Sequence, residues 1–420
     1  MTSFLDVYIQ VGRKAQRVGS LHLHRKGKSQ SSTFQYAEEW ISNPNSFAIS
    51  PYRPLTRGPH HVSSADGALP GEVRDGAPDR WGRRLIQRSA SKNGLGRALD
   101  ESDYLLGLDD ETRIGALRYK EPHGEQFLGH STNRNVPPII SLPRLINAAD
   151  AVMTQTESGD DLAYLLGHGS PLGGARPKSV VRDIDGSLSI AKFPKPDDTR
   201  NIAAGELLLS HMAHMAGINT CDTRMVDISS HSVSIIRRFD RDDSGGRHHF
   251  ISGLTMLGAT EGSELTYVDL ALAIRQYGAA PVEDCRELFR RMIFNILTSN
   301  FDDHLRNHGF LLDPASKKWR LSPAYDMNPV PIYESKREMA TWIDESGPEA
   351  LLGRTLEVAE FFYLDEIQAR DIISFIADVT SHWISIGRQH GISKKDLDPY
   401  ETAFNHEGLA DALRLADAHP

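Results

Sequence analysis

Cysteine is nearly absent: the 420 residues include only Cys221 and Cys285, and there is no C-x-x-C pair. That argues against a disulfide scaffold or a zinc ribbon, and a reducing, cytoplasmic compartment fits such usage. No apolar run reaches about 18 residues, the length a spanning helix needs, so no membrane contact is expected. The opening stretch, MTSFLDVYIQVGRKAQ, has no long apolar core. It alternates apolar and polar residues and reads as a first strand rather than a signal peptide. Positive charge is not in excess, since 47 Lys and Arg face 56 Asp and Glu and leave a net charge of -9. Nucleic-acid binding over the whole surface needs clustered cations, so this balance argues against it. Arg80, Arg83, Arg84 and Arg88 form a local cationic run, readable as a basic patch or as a solvated helix face. There is no internal repeat, no low-complexity tract and no Walker A pattern G-x-x-x-x-G-K-[ST].

What is present is an ordinary globular composition, 39% hydrophobic and 25% charged, in a chain long enough for two or three domains. Leu5 to Gln10, Val18 to His24 and Ser32 to Tyr36 alternate as half-buried strands do, with Gly12 and Gly19 as punctuation. Residues 51–78 carry turn chemistry throughout. Asp79 is placed to cap a helix over DRWGRRLIQRSA. Ile114 to Tyr119 predicts another strand. Leu142 to Met153 and Leu162 to Leu166 predict helices. Ser179 to Ile184 and Ser189 to Phe193 flank an Asp185-Gly186 turn and predict a hairpin. Residues 202–216 have an apolar face at helical spacing, with Gly217 as the C-cap. Val226 to Ile228 and Val233 to Ile236 read as a strand pair. From about 254 onward the pattern is mainly helical, broken by polar segments at 299–309 and 321–334. The expected fold class is therefore α+β. A β-rich subdomain over 1–140 precedes a glycine-loop lobe over 141–245 and a helical lobe over 246–420.

Four segments share one chemistry. Gly167, Gly169, Ser170, Gly173 and Gly174 precede a hairpin, where backbone N–H groups can approach phosphates and Arg176 or Lys178 can add charge. Lys192 follows on the apolar strand SIAKFP, and Glu206, early in the next helix, is its natural partner. The segment NFDDHLRNHGF at 300–310 reads D-x-H-x-x-N from Asp302 to Asn307. A carboxylate that accepts a hydroxyl proton and an amide oxygen that binds Mg²⁺ belong together in such a loop. Beyond a predicted hairpin, Phe310 to Leu312 with Trp319 to Leu321, lies LSPAYDMNP with Asp326 in the place of a second metal ligand. Each part alone is weak, but their order reproduces a phosphoryl-transfer site. A rival reading takes Asp302, Asp303, His304 and His308 as ligands of a metal-dependent hydrolase.

These motifs resemble the HipA family, the kinase toxins of bacterial type II toxin–antitoxin modules. The resemblance runs through DRWGRRL at 79–85, LLGLDDETRIGALRY at 105–119, GGARPKS at 173–179, AKFP at 191–194, RRFDR at 237–241, SGLTMLG at 252–258, DDHLRNHGF and LSPAYDMNP. It implies a two-lobed protein-kinase-like fold and a serine/threonine kinase that uses ATP and Mg²⁺. Asp302 matches the catalytic Asp, and His304 a histidine that supports the loop. Asn307 and Asp326 match the Mg²⁺ ligands, Lys192 the phosphate lysine and Glu206 its partner. Arg237, Arg238 and Phe239 fall where the adenine hinge lies. Gly169, Ser170, Gly173, Gly174 and Lys178 belong to the ATP loop. Ser170 falls where the family carries an autophosphorylated serine, a change that adds roughly -1.5 to -2 charges. The resemblance further implies a helix-turn-helix antitoxin like HipB docking on the N-terminal subdomain. Operator DNA would be met mainly through that partner, and the protein substrate would be a translation component such as an aminoacyl-tRNA synthetase. Two alternatives within the fold are a kinase acting on a small molecule and a non-catalytic corepressor.

Overall fold

Alternating apolar residues build the first sheet. The computed structural model describes residues 2–27, 29–129, 136–166, 174 and 176–417. Five strands lie in the order Pro59–Val62, Ser29–Tyr36, Lys14–Lys26, Thr2–Val11, Leu117–Lys120. The register sets Leu5 opposite Leu21 and Leu21 opposite Phe34, and all three are buried. Side chains on one strand alternate between faces, so this pairing gathers the apolar set on one side. Each such side chain contributes about 1.5–3 kcal/mol when fully buried.

Three local readings are corrected. Gly12 does sit at a turn, with φ of +71°. Gly19, however, lies inside a strand, paired with Val7 and with Tyr36. A Cβ there would come within 2.3 Å of the Gln35 carbonyl oxygen, so glycine is kept for close approach and not for a turn. The turn-rich stretch 51–78 contains an edge strand, Pro59–Val62, whose leading proline cannot donate to a ladder and so hides the strand from pattern reading. The helix Arg80–Lys92 starts as expected, with the Asp79 side chain accepting from Gly82 N–H at 2.7 Å. Arg80 is exposed, but the other three arginines of the run are neither a free basic patch nor a solvated face. Arg83 binds Glu101 through both nitrogens at 2.9 and 2.6 Å, Arg84 reaches the Val152 carbonyl at 3.3 Å, and Arg88 pairs with Glu157 at 2.7 Å.

The predicted hairpin is present as Lys178–Arg182 and Leu188–Lys192, and His231–Arg237 pairs with the second of these strands. The described chain divides into two compact units. The first comprises residues 1–197 and 227–261, the second 198–226 and 262–420. The boundaries expected at 140 and 245 both lie within the first unit.

The second unit is built on helices. Pro281–Leu297 buries Leu288, Phe289, Met292, Ile293, Phe294, Ile296 and Leu297, against Tyr267–Tyr277 and Glu366–Ser381 among others. The short hairpin Gly309–Asp313 with Lys318–Leu321 pairs Phe310 with Leu321 and Leu312 with Trp319. Two polar contacts fasten it to the long helix. Arg320 pairs with Asp284 at 2.9 Å, and buried Arg291 donates to the Ser322 carbonyl at 2.8 Å. No helix among the described residues is long and apolar enough to cross a membrane.

Candidate active site

In the first unit, the sheet register sets Lys178 directly opposite Lys192, with Ser234 on the other side of Lys192. Two ammonium groups facing across adjacent strands repel each other unless one is neutralised. Asp79 does this for Lys178, at 2.9 Å and almost out of water. Burial pushes the Asp79 carboxyl up from its ordinary value, and the Lys178 charge and the Gly82 N–H pull against that. The Trp81 indole N–H adds a bond to the Lys178 carbonyl at 3.1 Å, so the helix that Asp79 caps is clamped onto this strand. Lys178 therefore carries its charge in an internal pair, while Lys192 is half-buried at the end of its strand. Gly174 adopts φ of +104°, and a Cβ on it would stand 3.3 Å from Lys178 Nζ. The remaining loop positions expected to meet ATP, Gly169, Ser170 and Gly173, lie outside the described residues.

The segment RRFDR at 237–241 is held by its own charges. Arg238 and Arg241 both donate to Asp240, at 2.7 and 2.5 Å, and Asp240 also accepts from Gly115 N–H at 2.7 Å. Arg238 goes on to the Thr112 carbonyl at 2.6 Å. Burial alone would raise the Asp240 carboxyl, yet the two guanidiniums hold it well below the usual carboxylate range. Arg237 turns to Asp185 and Asp243, at 3.1 and 2.7 Å. The side chains of Arg237 and Arg238 are thus both engaged in ion pairs. Phe239 is half-buried, its ring 5.9 Å from that of Phe250.

In the second unit, Asp302 is exposed on the loop after the long helix, and the Asn307 amide donates to the Asp302 carbonyl at 2.9 Å. Asp326 is drawn to the same loop from both flanks. The Tyr325 hydroxyl donates to the Arg306 carbonyl at 2.6 Å, and Asn328 N–H donates to the Asn300 side chain at 3.0 Å. Held at both ends, Asp326 takes φ of +58°, a conformation that Asp tolerates better than most residues. Glu206 is buried in the helix Ile202–Met215. Asp302, Asn307 and Asp326 are thus gathered in one unit. Two carboxylates and an amide oxygen form a hard donor set, which suits Mg²⁺. The Nδ1 atom of His304 is buried without a hydrogen-bond partner among the described residues. Such an atom is costly to leave alone and fits a site completed by a polar ligand.

The hydrolase reading loses two of its four ligands, Asp303 and His308. Asp303 is buried and takes the Tyr267 hydroxyl, and the Asn295 amide lies 3.4 Å from the same oxygen. His308 is buried as well, and burial lowers its imidazole to about 3. The described residues hold no group of three or more His, Cys, Asp and Glu able to take a metal. Burial pushes the Asp303 carboxyl up to about 8, against hydrogen bonds from Tyr267, Thr341 N–H and Asn295. An unfolded Asp titrates near 4, so between about pH 4 and 8 the native state holds the extra proton. The stability tied to that proton is present below pH 4 and is lost as pH rises through 8. Urea unfolding should therefore show stability falling from pH 6 to 9 by at most about 1.4 kcal/mol per pH unit from this group. The Asp303→Asn variant should lack that component, and identical slopes in the two proteins would refute it.

Comparison with known proteins bears on the family and the fold. The HipA-like C-terminal domain matches residues 170–383, and the HipA N-terminal domain matches residues 7–120. The chain belongs to the HipA family. Serine/threonine-protein kinase toxin HipA of Shewanella oneidensis is 24% identical over 183 residues, or 38% of this chain. That match spans only 42% of the relative's own length. The solved complex of the Shewanella oneidensis MR-1 toxin–antitoxin system, HipA, HipB and operator DNA, contains a chain 16% identical, with a TM-score of 0.71. It covers 99% of this chain and 97% of that one, so the fold is the kinase-like α+β fold of HipA along nearly the whole length.

The polar residues that bracket Asp326 were not singled out from sequence. A signal was available one step away: Asn295, which accepts from the Asn300 amide, stands on the buried face of the long helix, where an amide needs a partner.

Proposed function

We propose that this HipA-family chain is an ATP- and Mg²⁺-dependent serine/threonine protein kinase that acts as a growth-inhibiting toxin. The observation that carries the reading is the gathering of Asp302, Asn307 and Asp326 on one anchored loop pair. In this reading Asn307 and Asp326 hold the metal, which when bound neutralises charge on the phosphate oxygens. Asp302 orients the acceptor hydroxyl and takes its proton. Lys192 binds the phosphates, and Lys178, neutralised by Asp79, stiffens the strand opposite. The backbone of 237–239 receives the adenine, and the glycine loop with Ser170 is the site of autophosphorylation. Acceleration then comes from positioning and charge stabilisation rather than from a covalent intermediate. By analogy with the HipA relative, a HipB-like helix-turn-helix antitoxin neutralises the chain and carries it to operator DNA. The protein substrate is a translation component such as an aminoacyl-tRNA synthetase.

Intact mass before and after incubation with Mg²⁺-ATP tests this. A gain of about 80 Da, one phosphoryl group, is expected in the parent, with the modification mapping to the glycine loop. An unmodified starting protein that stays unmodified, and that labels nothing in a cell extract, would overturn the kinase reading.

A further inference from the structure

The loop that bears Asp302 and the segment that bears Asp326 meet over a buried chain of amides. Asn300 is 3% exposed, Asn295 5% and Asp303 2%. The Asn300 amide nitrogen donates to Asn295 Oδ1 at 2.9 Å, and its oxygen accepts from Asn328 N–H at 3.0 Å. Asn295 in turn donates to the Tyr267 hydroxyl at 3.0 Å, and Tyr267 donates to Asp303. The Thr341 hydroxyl closes the far end on the Asp303 carbonyl at 2.7 Å. Every member except Asn328 and Thr341 contributes a side chain from the long helix, its neighbour Tyr267–Tyr277, or the catalytic loop itself.

We propose that Asn300 is a positioning residue for phosphoryl transfer, its buried amide setting the spacing between Asp302 and Asp326. This rests on the kinase reading above. The amide is held at both ends by groups of opposite character, an acceptor on Asn295 and a donor on Asn328. A flipped amide would set donor against donor, so only one orientation satisfies it. In a water-poor site a fully satisfied network is rigid, and losing one member leaves its partners unpaired. Asn328 lies two residues beyond Asp326, so its N–H is the anchor through which Asn300 acts on the metal-binding carboxylate. Asn300 needs no contact with ATP to do so.

The test compares the full-length parent, Asn300→Ala and Thr298→Val. The last removes a buried hydroxyl bond, Thr298 to the Phe294 carbonyl at 2.7 Å, from the same unit without touching the amide chain. Phosphoryl transfer is measured against Mg²⁺ and against ATP. Asn300→Ala should raise the Mg²⁺ concentration for half-maximal rate about tenfold and lower kcat about 10–100-fold, as a displacement of about 1 Å does. Its KM for ATP should stay within about threefold, and Thr298→Val should keep parental kinetics. Kinetics that match between the two variants would overturn the proposal. Hydrogen exchange at the Asn328 amide, measured without nucleotide, should speed about tenfold or more in Asn300→Ala and not in Thr298→Val. Unaltered exchange sinks the amide link alone, whereas a parent that transfers no phosphate sinks the kinase reading and the positioning role with it. Asn300→Ser, too short to reach both partners, replaces the alanine variant if that one does not fold.

Discussion

Asp302→Ala is expected to slow phosphoryl transfer by about 10²–10⁴-fold, the range usual for loss of a general base. The physical case is the contrast between the two ends of this residue. Its carbonyl is part of the loop's internal bonding, held by Asn307, and survives the substitution. Asp302 is an exposed residue, and surface substitutions usually change stability by about 0.5 kcal/mol or less. ATP affinity should change little, because the phosphate and adenine contacts are assigned to Lys192 and residues 237–239. Single-turnover transfer from radiolabelled ATP, alongside a thermal melt, separates these effects. A variant with the parental rate would remove Asp302 from the chemistry, and one that melts early would make the lost activity uninformative.

Asp240→Ala should destabilise the first unit by about 3–5 kcal/mol, the cost of removing one partner from a buried ion pair. Two guanidiniums, on Arg238 and Arg241, and the Gly115 N–H converge on this one carboxylate. Its loss leaves Arg238 buried without its counter-charge, though still bonded to the Thr112 and Arg113 carbonyls. The pH dependence has a definite sign. The native carboxyl is held below its unfolded value, so its contribution is full above about pH 4 and fades as pH falls through the native value. Urea unfolding at pH 7 measures the loss. A change under about 1 kcal/mol would mean that the carbonyl contacts of Arg238 and Arg241 hold the hinge without Asp240. The consequence for function is that RRFDR couples two tasks: its backbone is the proposed adenine edge, and its charged side chains hold that edge to residues 111–115.

Much of this was readable because it depends on neighbours in sequence. Strand alternation at Leu5, Val7 and Ile9, the capping Asp79, and the hairpin around 313–318 are all local patterns, and the structure has each. Asp302 and Asn307 were singled out by their short spacing, and the structure places them in one unit with Asp326. The misses have the opposite character. The edge strand at Pro59–Val62 owes its existence to a partner strand well upstream in the chain, as Ser32 pairs with Val62. The arginines of the 80–92 helix looked like solvent-facing charge until Glu101 and Glu157 arrived beside them. Gly19 looked like a turn until a neighbouring strand left no space for a Cβ.

Periodicity and turn chemistry were therefore set along the chain, because backbone geometry acts over a few residues. The pairing of buried polar groups was decided only in three dimensions. Asp79 with Lys178, Asp240 with Gly115, and Asn300 with Asn328 join residues far apart in the chain. A buried polar group must be satisfied wherever a partner is found, and nothing in its local sequence says where that partner will come from.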